Sequence, residues 1–173
     1  MDFVLIDAIG IEWQCGTLQM DFVLPERLGA TYIDQKGEKK NPVMLHRAIL
    51  GSMERWLGIL IEQYSGKFPL WLTPIQVFVC TITEKANEYA LGLINELEKN
   101  NVRCSVDLRN EKIGYKIREH SENGCPIILI VGDKEKDSNT VAIRRLGSNN
   151  QDFKLFKDFL EEIKVETKPP DLV

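Results

Sequence analysis

Apolar and polar positions in the first part of the chain follow a pattern of extended strands. Residues 3–6 are an apolar run, and a polar loop at 34–41 precedes a further strand that begins at Val43. Residues 13–22 alternate, which predicts that positions 13, 15, 17, 19 and 21 face one way and positions 14, 16, 18, 20 and 22 the other. These elements predict part of an antiparallel sheet.

A helix is predicted after Gly51, where apolar residues recur with helical spacing as far as Tyr64. Ser52 is placed to act as its N-cap, because a serine hydroxyl can accept a hydrogen bond from an N–H group of the first turn. Gly66 and two prolines, the second of them Pro74, then interrupt the pattern and predict a linker. We therefore place a domain boundary between residues 73 and 74.

After Pro74 strands and helices alternate. Strands are predicted at 76–82, 102–106, 126–131 and 140–146, and helices at 84–99, 111–121 and 152–164. The last helix would direct these residues inwards: Phe153, Phe156, Phe159, Leu160 and Ile163. This order predicts an α/β domain at 74–165, in which a mixed sheet has helices on both faces. Residues 166–173 form a tail, predicted to be disordered from Thr167 onwards.

Composition limits the class of protein. A chain of 173 residues with 43% apolar and 28% charged residues is typical of a soluble globular protein with one domain, or one domain and part of another. The sequence has no apolar stretch long enough to cross a bilayer and no signal peptide, so we expect a cytoplasmic protein without a membrane partner. Its four cysteines are widely spaced and predict reduced, buried thiols.

The charge of −4 argues against indiscriminate binding of nucleic acid. Residues 103–118 are locally basic, since five basic residues against Asp107 and Glu111 give +3. This balance suits a short, defined contact with RNA, but the same pattern is common on a solvated helix face. On such a face Lys116 and Glu119 would pair with each other.

The most informative stretch is 42–55, with the sequence PVMLHRAILGSMER. An apolar strand delivers His46 and Arg47, and a glycine turn leads into a helix with Arg55 in its first turn. Unpaired N–H groups at a helix start and a guanidinium fork both suit an anion such as phosphate. The stretch resembles the third signature motif of class II aminoacyl-tRNA synthetases, in the form found in threonyl-tRNA synthetases.

Four further blocks resemble the same family in the same order. They are WQCGTLQMDF with LPERL at 13–28, FPLWLTPIQV at 68–77, DLRNEKIGYKIREH at 107–120 and GDKE at 132–135. The resemblance covers residues 3–164 and implies a partial antiparallel α+β class II catalytic segment at 1–73, followed by a three-layer α/β anticodon-binding domain at 74–165. The first two signature motifs are not in the sequence, which therefore looks like the C-terminal end of a longer protein.

The resemblance implies an ATP-dependent, magnesium-assisted ligase of protein biosynthesis that joins threonine to its tRNA and is a homodimer. Arg55 would stack on adenine and stabilise charge at the phosphates; the alternative is an exposed helix arginine paired with Glu54 or a neighbour. Other matching polar residues would bind ATP (Gln14 and Thr17) or the amino acid (Gln19 and Ser52). With motifs missing, we expect the chain alone to be inactive.

The family also holds zinc with one cysteine and two histidines, and His46 matches the last of these ligands. An open zinc position favours threonine over valine, because the hydroxyl can ligate the metal. Cys15 does not match a ligand position, so we expect no stable metal here. The alternative for His46 is a histidine whose hydrogen bonds are satisfied within the core.

In the second domain, the resemblance implies that the following residues read anticodon bases: Asn110, Lys112, Arg118, Glu135 and Arg144. Residues 121–125 depart from the family, which often has basic residues there. The alternative for these positions is ordinary pairing on a helix surface. Two other interpretations remain. One is a non-catalytic RNA-binding or regulatory module. The other is a prolyl, glycyl or histidyl synthetase, and the HRA and QCGT motifs disfavour this second alternative.

Overall fold

The computed structural model describes residues 1–7, 9–148 and 150–170. Contacts within the chain divide it into two compact units, Met1–Gly66 and the part from Lys67 onwards. Each unit has its own sheet. None of the described helices has the length and apolar character needed to cross a bilayer.

The first unit is built around a long central strand. Its described elements are β1 (Asp2–Ile6), β2 (Glu12–Asp21), α1 (Leu24–Arg27), β3 (Tyr32–Ile33), β4 (Lys39–Lys40), β5 (Met44–Ala48) and α2 (Met53–Tyr64). β2 pairs antiparallel with β1 on one side and β5 on the other, while β3 and β4 form a separate short pair. The predicted antiparallel strands and the helix after Gly51 are confirmed.

Little of this unit is fully buried. Along β5 the side chains alternate between half-buried and exposed, as expected for a strand with one face covered. No residue of α2 is buried, and its apolar side chains Leu57 and Ile61 are about half exposed, at 49% and 52%. The unit therefore presents an unusually apolar surface.

The second unit contains a mixed sheet. Its described elements are β6 (Val77–Thr81), a 3₁₀ turn (Glu84–Ala86), α3 (Asn87–Lys99), β7 (Cys104–Asp107), α4 (Ile113–Glu122), β8 (Ile127–Val131), α5 (Asp133–Ser138), β9 (Thr140–Arg145), β10 (Gln151–Leu155) and α6 (Phe156–Glu166). The strand order is β10-β9-β8-β6-β7. β6 runs parallel to β7 and β8, and β9 and β10 are antiparallel to their neighbours.

Helices cover both faces of this sheet, as predicted. On one face α3 and α6 pack on apolar strand residues, and the largest fully buried side chain of those helices is Phe159. On the other face Ile113 and Ile117 of α4 pack against Cys80, Ile128 and their neighbours. The fully apolar β8 lies between the two layers, which is typical of a strand buried on both sides.

The predictions for the C-terminal part were partly wrong. The predicted helix 152–164 begins only at Phe156, because residues 151–155 pair with β9 as β10. Phe153 therefore lies on a strand with 65% of its surface exposed, not inside a helix interface. α5 was not predicted, and Cys104 is only half-buried. The end of the predicted disordered tail, 171–173, lies outside the described residues.

Arg103 ties the segment before β6 to the second unit. Its guanidinium donates hydrogen bonds to the carbonyl of Trp71 at 2.7 Å and to that of Thr73 at 2.9 and 3.0 Å. The fully buried Gln76 bonds the carbonyl of Leu70 at 2.9 Å and accepts from the Arg103 N–H at 2.9 Å. Residues from 70 onwards are thus held by the second unit.

We expect limited trypsin digestion to cut in the loop 34–41 and after Lys67, leaving a resistant product that starts at Phe68. The second unit has a buried core, whereas backbone on the exposed surface of the first opens more readily. Arg103→Ala should additionally allow chymotrypsin to cut at Trp71, as mass spectrometry would show. A resistant product from the first unit would contradict this prediction.

Candidate functional site

A bulge in β2 decides which of its side chains share a face. The pairing with β1 skips Cys15: Thr17 and Gly16 oppose successive residues of β1, and the next partner is Gln14. Paired residues share a face, so the extra residue returns Gln14 to the side of Thr17 and Gln19. Strict alternation had predicted Gln14 on the opposite side, and this prediction was wrong.

The start of α2 lies against the same bulge. The Arg55 guanidinium donates a 2.9 Å hydrogen bond to the carbonyl of Gln14, and the Arg55 N–H bonds the Ser52 hydroxyl at 3.2 Å. Gly51 has φ of +73°, and a Cβ there would lie 3.4 Å from the Gln14 carbonyl oxygen. Glycine suits this turn because it adopts positive φ without strain. Within the described residues Arg55 pairs with no carboxylate, so the alternative of a Glu54 pair is wrong.

His46 on β5 lies opposite Gln19. Its Nε2 is 2.9 Å from Oδ2 of Asp21, and this bond helps to lower the pKa of Asp21, after the larger effect of the Leu24 N–H group. Among the described residues no group of three potential metal ligands includes His46. The described residues around His46 therefore do not fit a zinc ion by themselves.

One cleft of the first unit lies mostly elsewhere. It has a volume of about 470 Å³, and its lining is Phe3, Gly16, Thr17, Leu18, Arg47, Ala48 and Ile49. Gly16 pairs with Phe3 and Leu18 with Arg47, on the opposite side of the sheet from Gln19 and His46. The cleft also reaches the other side, because Thr17 and its partner Ala48 line it, but its lining includes none of the other predicted substrate-binding residues.

In the second unit, the carboxylate of Asp107 at the end of β7 organises the loop that leads to α4. Oδ1 accepts bonds from the Arg109 backbone N–H and Nε, each at 3.0 Å, and Oδ2 accepts from Arg109 Nη2 at 2.6 Å. Arg109 also pairs with Glu119 on α4 at 2.8 Å. The chain after β7 is thereby folded back onto the helix.

Two buried polar residues of α4 complete this network. Lys116 is fully buried, and its ammonium donates bonds of 3.0 Å to the carbonyls of Thr81 and Asp107. His120 bonds Asp107 Oδ2 at 2.9 Å and stacks on Phe78, with ring centroids 3.7 Å apart. The predicted Lys116–Glu119 pair is wrong, because Lys116 faces the sheet. Burial raises the pKa of Asp107, but the bonds from Arg109 and His120 outweigh it and the pKa is lowered.

Cys80, Asp107 and His120 are the one group of three potential metal ligands among the described residues. Two cations, Arg109 and Lys116, already neutralise Asp107. Burial raises the pKa of the Cys80 thiol to about 12, so its sulfur is protonated at neutral pH. Because the Asp107 carboxylate is also bonded by Arg109 and His120, the group does not suit a metal ion.

The basic stretch 103–118 mostly serves the fold. Lys116 is buried and the other four basic residues are exposed. Of these four, Arg103 binds carbonyls, Arg109 pairs with two carboxylates and Arg118 pairs with Glu122. The predicted basic surface therefore loses Lys116 to the core, and its charge is partly neutralised at Arg109 and Arg118. The sequence did contain a signal for the burial of Lys116 and His120. Positions 113, 116, 117 and 120 have the spacing of one helical face, and two of them are isoleucines.

The predicted base-reading residues lie on the α4 side of the sheet or at its edge. Arg118 and Arg144 line one groove of about 430 Å³ between α4 and β9. Asn110 and Lys112 are exposed at the start of α4, after β7. Glu135 lies at the start of α5, where its carboxylate accepts the Gly132 N–H at 2.9 Å. The last three share the sheet edge at which β7 and β8 end.

Comparison with known proteins identifies this architecture. Residues 76–166, just over half of the chain, match the family described as anticodon binding domain. The chain belongs to the anticodon binding domain family. Residues 1–64, ahead of the anticodon binding domain, match the tRNA synthetase class II core domain (G, H, P, S and T).

Individual relatives agree with this assignment of the anticodon binding domain. The threonine–tRNA ligase of Bartonella tribocorum is 55% identical over 171 residues, which are 99% of this chain and 26% of that enzyme. The ligase of Rickettsia bellii is 54% identical over 166 residues, 96% of this chain and 26% of the enzyme. The chain thus spans about a quarter of the length of these relatives.

A solved structure is also similar over nearly the whole chain. It is the RNA binding domain of threonyl-tRNA synthetase from Cryptosporidium parvum, with 34% identity and a TM-score of 0.86 over 99% of this chain and 44% of the other. The predicted resemblance to threonyl-tRNA synthetases and the predicted α/β fold of the anticodon binding domain are confirmed.

Asp107→Asn should destabilise the second unit by about 3–5 kcal/mol at pH 7, because it leaves the Lys116 ammonium buried without its counter-charge. The lowered pKa of Asp107 stabilises the fold above the ordinary carboxyl pKa, and this contribution is lost as the pH falls below about 4. Urea titrations followed by circular dichroism should therefore show a smaller loss of stability with acid in the variant.

Two further variants control this experiment. The exposed Asp137→Asn should leave stability and its pH dependence nearly unchanged. Combining Asp107→Asn with Lys116→Met should restore part of the loss, because an apolar side chain replaces the unpaired ammonium. Equal acid sensitivity of the wild-type chain and Asp107→Asn would contradict the assigned role of this carboxylate.

Proposed function

We propose that this chain reads the anticodon of a threonine tRNA with its second unit and supplies, with its first unit, part of the active site of a threonine–tRNA ligase. The observation that carries the proposal is the groove in which Arg118 and Arg144 meet, within a domain of the anticodon binding family. Unpaired bases of an RNA loop can enter such a groove and expose their Watson–Crick edges.

The five proposed base-reading residues supply complementary chemistry. The amide of Asn110 can donate and accept, Lys112 and Arg118 can reach phosphate or base acceptors, and the carboxylate of Glu135 accepts from exocyclic amines. Arg118 is paired with Glu122 at 2.8 Å on the surface, and a pair of this kind exchanges readily because it contributes about 0–1 kcal/mol. RNA can therefore displace it.

For the ligase reaction we propose that Arg55 holds the adenine and phosphates of magnesium-bound ATP. The threonine carboxylate attacks the α-phosphate, the bond between the α- and β-phosphates breaks, and pyrophosphate leaves as the threonyl adenylate forms. The guanidinium is already fixed by the Gln14 carbonyl, so part of its ordering precedes substrate binding. Gln14, Thr17 and Gln19 share a face and would contact the nucleotide and the amino acid. Ser52 would lie near the substrate in addition to capping α2.

Further parts of the proposal rest on the family alone. We assign residues 1–73 to the catalytic domain, although 67–73 belong to the second compact unit, residues 74–165 to the anticodon domain and 166–173 to a tail. We also propose a cytoplasmic location and, for the complete ligase, a homodimer that binds zinc with His46 and ligands outside the 173 residues. None of the reaction steps assigned to this chain depends on that zinc.

We expect the 173-residue chain alone to show no threonine-dependent exchange of pyrophosphate into ATP, because it lacks two family motifs and two zinc ligands. Radiolabelled pyrophosphate exchange measures this directly. Exchange above background that Arg55→Ala abolishes would contradict the expectation and show that the chain rebuilds an active site. A chain that binds RNA without exchange, even when the missing catalytic segment is added, would instead be a non-catalytic RNA-binding module.

We expect the chain to bind an isolated threonine anticodon stem-loop more tightly than one with an altered middle base. Arg144→Gln should reduce this discrimination by about 1–3 kcal/mol, as for loss of a base contact. Arg145→Gln is the matched control, since Arg145 pairs with Glu166 on the opposite face of the sheet. Fluorescence anisotropy at several salt concentrations measures the affinity of each variant for the two stem-loops.

Equal affinity for the two stem-loops would refute anticodon recognition by this chain. Affinity should fall only modestly with salt, because few basic residues remain available for phosphate contacts. If Arg144→Gln and Arg145→Gln weakened binding equally, the groove between α4 and β9 would not be the recognition surface.

A further inference from the structure

The sheet face that carries Arg144 continues beyond α4 onto β10. Arg144 pairs with Gln151, and Ala142 pairs with Phe153, so these four side chains share a face. Two ion pairs on the other face support this assignment. Lys154 bonds Glu162 of α6 at 2.7 Å, and Arg145 bonds Glu166 of α6 at 2.7 Å. Phe153 therefore faces away from α6, on the α4 side.

On β10 this face is open. Gln151, Phe153 and Leu155 are all exposed, and Phe153 is 65% exposed although its cross-strand neighbour Ala142 is buried in the α4 layer. A large aromatic side chain on an exposed edge strand is a liability for aggregation. Packing within the second unit does not explain its presence, because the helix predicted to bury it does not include it.

The surroundings of Phe153 are those of a nucleic-acid site. Arg144 lies diagonally across the strand pair, at about 7 Å between Cα atoms. The groove with Arg118 lies beyond Arg144. The exposed amide of Gln151 lies beside Arg144. Towards the other end of β9, Thr140 bonds Ser138 at the end of α5, the helix that carries Glu135. Phe153 thus occupies the interval between residues proposed to read bases.

We propose that Phe153 is a stacking platform for one unpaired base of the bound RNA loop, with Gln151 beside it as a hydrogen-bonding partner for the edge of that base. The proposal rests on the proposed anticodon function. An aromatic ring on an open sheet face stacks any base, because every base has a π-face, while the neighbouring arginines neutralise phosphates. Phe153 therefore contributes affinity, and the surrounding polar residues contribute selectivity.

RNA fits this surface better than an apolar protein segment. The aromatic ring has the exposed Leu155 on one side, but on the other side it is bordered by Arg144, by the amide of Gln151 and by the groove that contains Arg118. A protein partner that added a strand to β10 would use the strand edge, but it would have no need of the positive charge beside the ring. A loop of RNA can use the ring, the donors and the positive charge together.

The test uses the whole chain and anticodon stem-loops with 2-aminopurine at each loop position in turn, since stacking quenches this base. We expect quenching at one position with the wild-type chain and with Phe153→Tyr, and its loss with Phe153→Leu, which keeps an apolar side chain but no ring. Phe153→Leu and Phe153→Ala should bind about tenfold more weakly to threonine and altered stem-loops alike. Because Phe153 is exposed, thermal unfolding should be nearly unchanged.

Three outcomes overturn the proposal. Anticodon-selective binding by the wild-type chain, with affinity and quenching unchanged in Phe153→Leu and Phe153→Ala, rejects the stacking role alone. Failure of the wild-type chain to bind any stem-loop rejects the anticodon function and the platform with it. Self-association of the wild-type chain in sedimentation, abolished by Phe153→Ala with RNA binding intact, assigns the face to contact between copies of the chain.

Discussion

The bonds made by the Asp107 carboxylate hold together the part of the molecule on which recognition depends. This buried group ends β7, folds the next two residues back through Arg109 and fixes α4 through His120. The loop that carries Asn110 and the helix that carries Arg118 therefore have positions set by one side chain. Apolar contacts from Ile113 and Ile117 hold the helix on the sheet, but they specify its position less sharply than directed bonds do.

The two units differ in how completely they bury their own apolar side chains. The second has an apolar core on both sides of its sheet, and its buried polar groups are bonded to one another. The first leaves α2 without a buried residue and exposes apolar side chains on several strands. An apolar face of this kind is normally covered by other protein surface. Its geometry near Gln14 is nevertheless defined, because the bulge, Gly51 and Arg55 constrain one another.

The order of strands and helices and the residues of the family motifs could be predicted from the sequence, since both are local patterns. Features that depend on distant pairing could not. Residues 151–155 have the spacing of a helix that buries Phe153, yet they pair with β9, and this tertiary pairing overrides the local preference. The bulge at Cys15 likewise could not be predicted, because it depends on how β2 pairs with β1. Lys116 and His120 occupy apolar positions of a helical stripe, so their burial was visible in principle, but their partner Asp107 was not.

The buried Lys116 has a consequence for the kind of ligand this fold accepts. In open α/β sheets, small molecules usually bind in the crevice at the carboxyl ends of the strands. Here the ammonium group of Lys116 occupies that position and bonds the last carbonyls of β6 and β7, as an external ligand would. The carboxyl ends of β6 and β7 are thus filled by the protein's own cation, while the groove with Arg118 and Arg144 and the exposed residues Asn110 and Lys112 stay open to a large, flexible ligand.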